Sequence, residues 1–118
     1  MGEATVPVIL LGRYTTLAGS DPFVTAPILV AEYSAIELGV WRGPMEDLGA
    51  VFEIHIQESM DQVTWSTIDS AVVASGTEVP ISIDLSRTWL RAQVELAAAS
   101  FPVVSCYAVG FLVRRRQT

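Results

Sequence analysis

Lysine and asparagine are missing altogether from the 118 residues. Without asparagine there is no acceptor for N-glycosylation. All seven positive charges are then arginine, a side chain that pairs with carboxylates in a planar, bidentate way suited to interfaces. Cysteine occurs once, as Cys106, so no intrachain disulfide can form. Cys106 lies in an apolar run with no nearby cation to favour the thiolate, and reads as a small core residue. No run of about 18 apolar residues free of charge exists, which argues against a spanning helix. The longest apolar stretch, Phe101–Val113, is broken by Pro102, Ser105 and Gly110. No basic region followed by an apolar core opens the chain, so no signal peptide is expected. Met1-Gly2 begins like a myristoylation signal, but Val6 stands where that signal needs Ser or Thr. A basic face is lacking as well. The net charge is −6, which argues against direct nucleic-acid binding.

Apolar residues, in contrast, make up 51% of the chain, and the mean hydropathy is +0.44. Small domains have much surface to cover, so this excess is high for a chain of this size. It is explained if part of the surface is buried against partner chains, since obligate interfaces resemble cores. The length suits one domain. The expected organisation is a single β-sandwich over residues 1–118, with an extended N-terminal segment 1–12 and a C-terminal tail 115–118.

Helix signals are poor, and β-branched and aromatic residues fall in short runs separated by Gly, Pro, Ser and Asp. Such spacing predicts about eight strands, at Thr5–Leu11, Phe23–Glu32, Ser34–Arg42, Val51–Glu58, Thr64–Val73, Val79–Leu85, Arg87–Leu96 and Val103–Arg114. Gly12 ends the first, and Arg13–Pro22 forms a connection. Pro7 and Pro27 point to edges or bulges. In the fourth strand Phe52, Ile54 and Ile56 face one way and Glu53, His55 and Gln57 the other, so one face meets the core. Ile36, Leu38 and Val40 alternate likewise, as do Leu90, Ala92, Val94 and Leu96. The last strand is apolar on both faces and is expected to be buried on both. Ala97-Ala98-Ala99 is too short to nucleate a helix. The pattern is all-β: an antiparallel β-sandwich, and a jelly roll of about eight strands in particular.

Chemistry-bearing residues are sparse. His55 is the only histidine, and one His with one core Cys does not supply a strong zinc site. It reads as an exposed strand residue. Neither a nucleophile elbow nor a Gly-rich phosphate loop is present. Glu46-Asp47 and Glu58–Asp61 are too sparse for calcium, which takes six to eight oxygens. Ser59 and Asp61 are better read as bonding the backbone of their own turn. No catalytic residue, metal or cofactor is expected, and the chain is read as a non-enzyme. Trp65 is assigned to the core. Trp41, Trp89 and Arg91 fall on the outward faces of their strands and are candidate interface anchors, since Trp and Arg are enriched at interfaces. Arg114, Arg115 and Arg116 are candidates for docking on an acidic neighbour. A sugar platform built on Trp41 and Trp89 is the alternative.

The segment from Phe52 to Trp65 reads Phe-Glu-Ile-His-Ile-Gln-Glu-Ser-Met-Asp-Gln-Val-Thr-Trp. A strand, then Glu-Ser-x-Asp-x-x-Thr-Trp, then a second strand resembles the hairpin of small β-sandwich proteins on tailed-phage particles. The strands Arg87–Leu96 and Val103–Val113 are similar in style, so the resemblance covers residues 50–114. It implies a jelly-roll domain that decorates or cements a capsid, bound to the major capsid protein or another virion protein. It also implies a homo-oligomer, most simply a trimer, on the capsid surface of a particle made in the host cytoplasm. A membrane partner is not expected. A glycan-binding or adhesion module of a phage tail is the rival expectation.

Overall fold

Residues 5–45, 49–97 and 102–114 are described by a computed structural model. Alternation of apolar and polar side chains dictates two sheets packed face to face. One holds β1 (Thr5–Ala18), β9 (Val103–Arg114), β4 (Tyr33–Arg42) and β7 (Val79–Asp84), in that order across the sheet. The other holds β2 (Phe23–Val24), β8 (Trp89–Ala97), β5 (Val51–Ser59) and β6 (Ser66–Val72), with β3 (Ile28–Leu29) also on β8. Every pairing between strands is antiparallel.

The connectivity is that of one long hairpin rolled up on itself. First pairs with last (β1·β9), then β2 and β3 with β8, β4 with β7, and β5 with β6. Rolling then adds β4·β9 and β5·β8, which closes each half into a sheet. Counting β2 and β3 as two halves of one strand, this is the eight-strand jelly roll that the sequence predicts.

Between the sheets lie the residues that alternation selects. Ile36, Leu38 and Val40 of β4, with Val104, Cys106, Ala108 and Leu112 of β9, face Phe52, Ile54 and Ile56 of β5 and Leu90, Ala92, Val94 and Leu96 of β8. All are buried. Cys106 belongs to this core, and its burial pushes the thiol up to about 11. At one end Arg42 holds the chain where it crosses between sheets: its Nε donates to the Val73 carbonyl at 2.9 Å.

Three expectations need correction. The first strand does not stop at Gly12 but runs on to Ala18. It does so through a bulge: the β1·β9 register shifts between Ile9 and Leu11 and again between Leu11 and Thr15. Tyr14 takes φ 63°, and Thr15 Oγ1 donates to the Gly12 carbonyl at 2.6 Å. A bulge absorbs extra residues without ending the ladder. Second, the Phe23–Glu32 strand is split, because Pro27 has no N–H to give. Across the gap Thr25 keeps the ladder alive. Its N–H donates to Ala92 O, and its buried Oγ1 accepts from Ala92 N–H, both at 2.9 Å. Third, β9 is buried on one face only: Val103 and Phe111 on the other face are 51% and 50% exposed.

Pro7 does sit on an edge strand, as expected, since β1 is outermost in its sheet. Small residues on the inner face of β9 mark close packing, as the sequence suggests. A Cβ at Gly110 would collide with the backbone carbonyl of Glu37 on β4. Gly110→Ala must therefore force β9 away from β4 at the centre of the sheet. The expected loss is about 1–3 kcal/mol or more, the usual cost of overpacking, seen as a lower urea midpoint. The neighbouring Val109→Ala, on the half-exposed outer face, should cost less.

Candidate functional site

The two outer faces of the sandwich differ in kind. On the β2-β8-β5-β6 sheet the outward side chains at the centre, on β5 and β8, are polar and bonded to each other, while Val24, Leu29, Val51 and Val72 are exposed around them. Arg91 Nε donates to Gln57 Oε1 at 2.7 Å, and Gln57 Nε2 donates to Thr67 Oγ1 and Gln93 Oε1 at 3.3 and 3.2 Å. Gln93 Nε2 reaches Glu95 Oε1 at 3.1 Å. His55 Nε2 lies 2.8 Å from Glu53 Oε1 and 3.8 Å from Glu95 Oε2. This network satisfies itself, as a face in water should.

On the β1-β9-β4-β7 sheet the outward side chains are mostly apolar. Pro7, Ile9, Val109, Phe111 and Pro80 line an open trough of ≈ 950 Å³, with charge from Arg13, Glu37 and Glu78. Ile9 is 66% exposed. Gly39 lies under the Glu78 side chain, whose Oε1 accepts from Tyr107 Oη at 2.8 Å. Arg13 stacks over the Tyr107 ring at 4.4 Å, and Trp41 stacks on the same residue at 5.5 Å with 17° between planes. Contiguous exposed apolar surface of this kind is a candidate interaction site.

The expected interface residues distribute unevenly over these faces. Trp41 is half-buried on β4, beside the trough. Trp89 is half-buried on β8, in the opposite sheet. A platform that uses both indoles is therefore not built, because the whole core stands between them. Arg91 is already occupied by Gln57 and by Trp65, over whose ring its guanidinium sits at 4.2 Å. Arg114 sits over the Tyr33 ring at 5.9 Å. Arg115 and Arg116 lie outside the described residues, as do Glu46 and Asp47.

Trp65 is not a core residue. It is half-buried on the outer side of the polar sheet, and its Nε1 donates to the Gln62 carbonyl at 3.1 Å. The rest of the turn is as the sequence predicts. Ser59 Oγ accepts from the N–H groups of Asp61 and Gln62, at 3.1 and 2.9 Å. Asp61 Oδ1 accepts from those of Val63 and Thr64, both at 2.9 Å. These donors, Thr64 first, hold the Asp61 carboxyl below its ordinary range. Two things could not be read from the sequence. The trough is assembled from four strands distant in the chain. Glu95 joins Glu53 and His55 only through the β5·β8 register, which sets Glu53 opposite Glu95.

No family model matches the chain, and no curated protein matches it. Solved structures do share the fold. The infectious bursal disease virus VP2 subviral particle aligns over 96% of this chain with a TM-score of 0.64 and 8% identity. The same virus's Gx strain structure aligns over 98% with a TM-score of 0.55 and 8% identity. The chain spans 33% of each of those chains. A disulfide-linked pilus of Bacillus endospore appendages aligns over 98% of this chain and 93% of its own, with a TM-score of 0.56 and 11% identity. The chain thus shares a β-sandwich fold with these structures.

The turn yields a pH prediction. A carboxylate whose folded pKa is depressed lends stability above its unfolded value, near 3.8. That contribution is lost as the pH falls through the lower folded value. The amide proton resonances of Val63 and Thr64 should therefore move together with a midpoint below 3.8, and Asp61→Ala should abolish the movement. Trp65→Ala should cost about 1 kcal/mol, the scale of an exposed cation–π contact, and not the loss of a core indole.

Proposed function

We propose that the chain is a non-enzymatic structural protein of a viral particle, which attaches through the apolar outer face of its β1-β9-β4-β7 sheet. The observation that carries this reading is the contrast between the two outer faces. One has a self-bonded polar centre with exposed Val24, Leu29, Val51 and Val72 scattered around it, and the other gathers Ile9, Phe111 and Pro7 around a single trough. Burial against a neighbour removes that apolar area from water at roughly 25 cal/mol per Å², and it accounts for the apolar excess of the composition.

The fold shared with the infectious bursal disease virus VP2 subviral particle supports a virion role. Within that role we favour capsid decoration or cement on a tailed-phage head. The sequence resemblance of the 52–65 hairpin supports this. A homo-oligomer, most simply a trimer, would bury the trough between copies or against the major capsid protein. The arginines from Arg114 onward would meet a carboxylate-rich neighbour. A disulfide-linked pilus is the weaker reading, because Cys106 is the single cysteine and is fully buried. Glycan binding loses its two-ring platform, for the reason given above.

Substitutions on the trough separate attachment from folding. Ile9→Asp and Phe111→Ser alter exposed positions and set no like charges opposite each other, so stability should change by only about 0.5 kcal/mol. The parent should run as an oligomer by light scattering at tens of micromolar and co-purify with particles. The variants should stay folded by circular dichroism yet lose one or both associations. A parent that is a monodisperse monomer and binds no particle would overturn the reading.

A further inference from the structure

We propose that Glu53, His55 and Glu95 form a binding site for a divalent transition-metal ion of the zinc class. The site lies on the polar face, away from the apolar trough, and does not depend on the function proposed above. Glu53 and His55 are two residues apart on β5 and so share a face. Glu95 on β8 is the register partner of Glu53. Both strands are internal to their sheet, so the backbone beneath the three side chains is fixed.

The donor spacing suits one ion. His55 Nε2 is 2.8 Å from Glu53 Oε1 and 3.8 Å from Glu95 Oε2, and one ligand atom from each residue lies within 4.8 Å of the others. Ligand atoms around a tetrahedral zinc, with bonds of about 2.0–2.1 Å, lie about 3.3 Å apart. Small rotamer changes bring the observed distances to that value.

Charge bears on the same three residues. Two carboxylates directly opposite each other in a sheet repel. Here Glu53 faces Glu95, and among the described residues the one basic side chain within ion-pair distance of either is His55, which carries at most one positive charge against their two negative ones. The site is arranged as if for a cation: Gln93 donates to Oε1 of Glu95, leaving Oε2 toward His55. A dication balances both charges. One imidazole with two carboxylates suits zinc and its neighbours. It does not suit calcium, which takes six to eight oxygens. All three residues are half-buried, which leaves room for water to complete the coordination sphere. Binding needs His55 neutral and Nε2 free of its proton, so uptake should weaken in acid.

The test uses the intact chain, stripped of metal and titrated with zinc chloride by calorimetry at neutral pH, with calcium chloride as control. One zinc per chain is expected, with no saturable calcium uptake. His55→Gln and Glu95→Gln should each weaken zinc binding tenfold or more while leaving the far-ultraviolet circular dichroism unchanged. In the parent, the His55 ring resonances should shift as zinc is added. Absence of saturable zinc uptake by the parent would overturn the site. So would equal uptake by both variants, or ring resonances that stay in place as zinc binds.

Discussion

Every feature of this domain depends on one stripe of burial, the alternate side chains of β4, β5, β8 and β9 that meet between the sheets. Phe52, Ile54, Ile56, Ile36, Val40 and Leu90 are wholly excluded from water. A strand has a side-chain period of two, so fixing these residues inward fixes every neighbour outward. The core therefore sets the composition of both outer faces without touching them. A register slip by one residue would exchange core for surface along a whole strand, and so cannot be tolerated.

The same logic explains what the sequence could reveal. Strands with one apolar and one polar face were legible, because Phe52-Glu53-Ile54-His55-Ile56 states its own orientation. Strand β9 misled, because Tyr107, Val109, Phe111 and Val113 carry no polar signal to tell an exposed apolar face from a buried one. Strand β1 misled for a different reason. Gly12 looks like a terminator, but a bulge at Tyr14 with φ 63° carries the ladder past it. Trp65 was lost to a third effect: it reads as opening the Thr64–Val73 strand, but β6 begins at Ser66 and Trp65 belongs to the turn before it. The Ser59–Asp61 turn was legible in full, since its chemistry is local. The meeting of Glu53 and His55 with Glu95 was not, because it depends on pairing between strands some forty residues apart.

The two faces divide labour in a way that the core permits but does not require. The polar face bonds its own side chains into a lattice running from Trp65 and Arg91 to His55 and Glu53. The other face holds its aromatic and charged groups, Arg13, Tyr107, Trp41 and Glu78, beside open apolar surface. Polar groups already bonded need no partner, whereas exposed apolar area gains from one. An assembly that uses the second face would leave the first turned to solvent.

Pairing of β1 with β9 carries a mechanical consequence. The strands are antiparallel, and Thr5 lies beside Val113. Tension applied between these two neighbouring ends would act across the ladder and load its hydrogen bonds one rung at a time, starting from Thr5. Such a seam peels at low force, whereas a sheared pair resists with all its rungs together. A neighbour seated over Pro7, Ile9 and Phe111 spans that seam, so docking there would act as a clasp on the part of the domain that tears most easily.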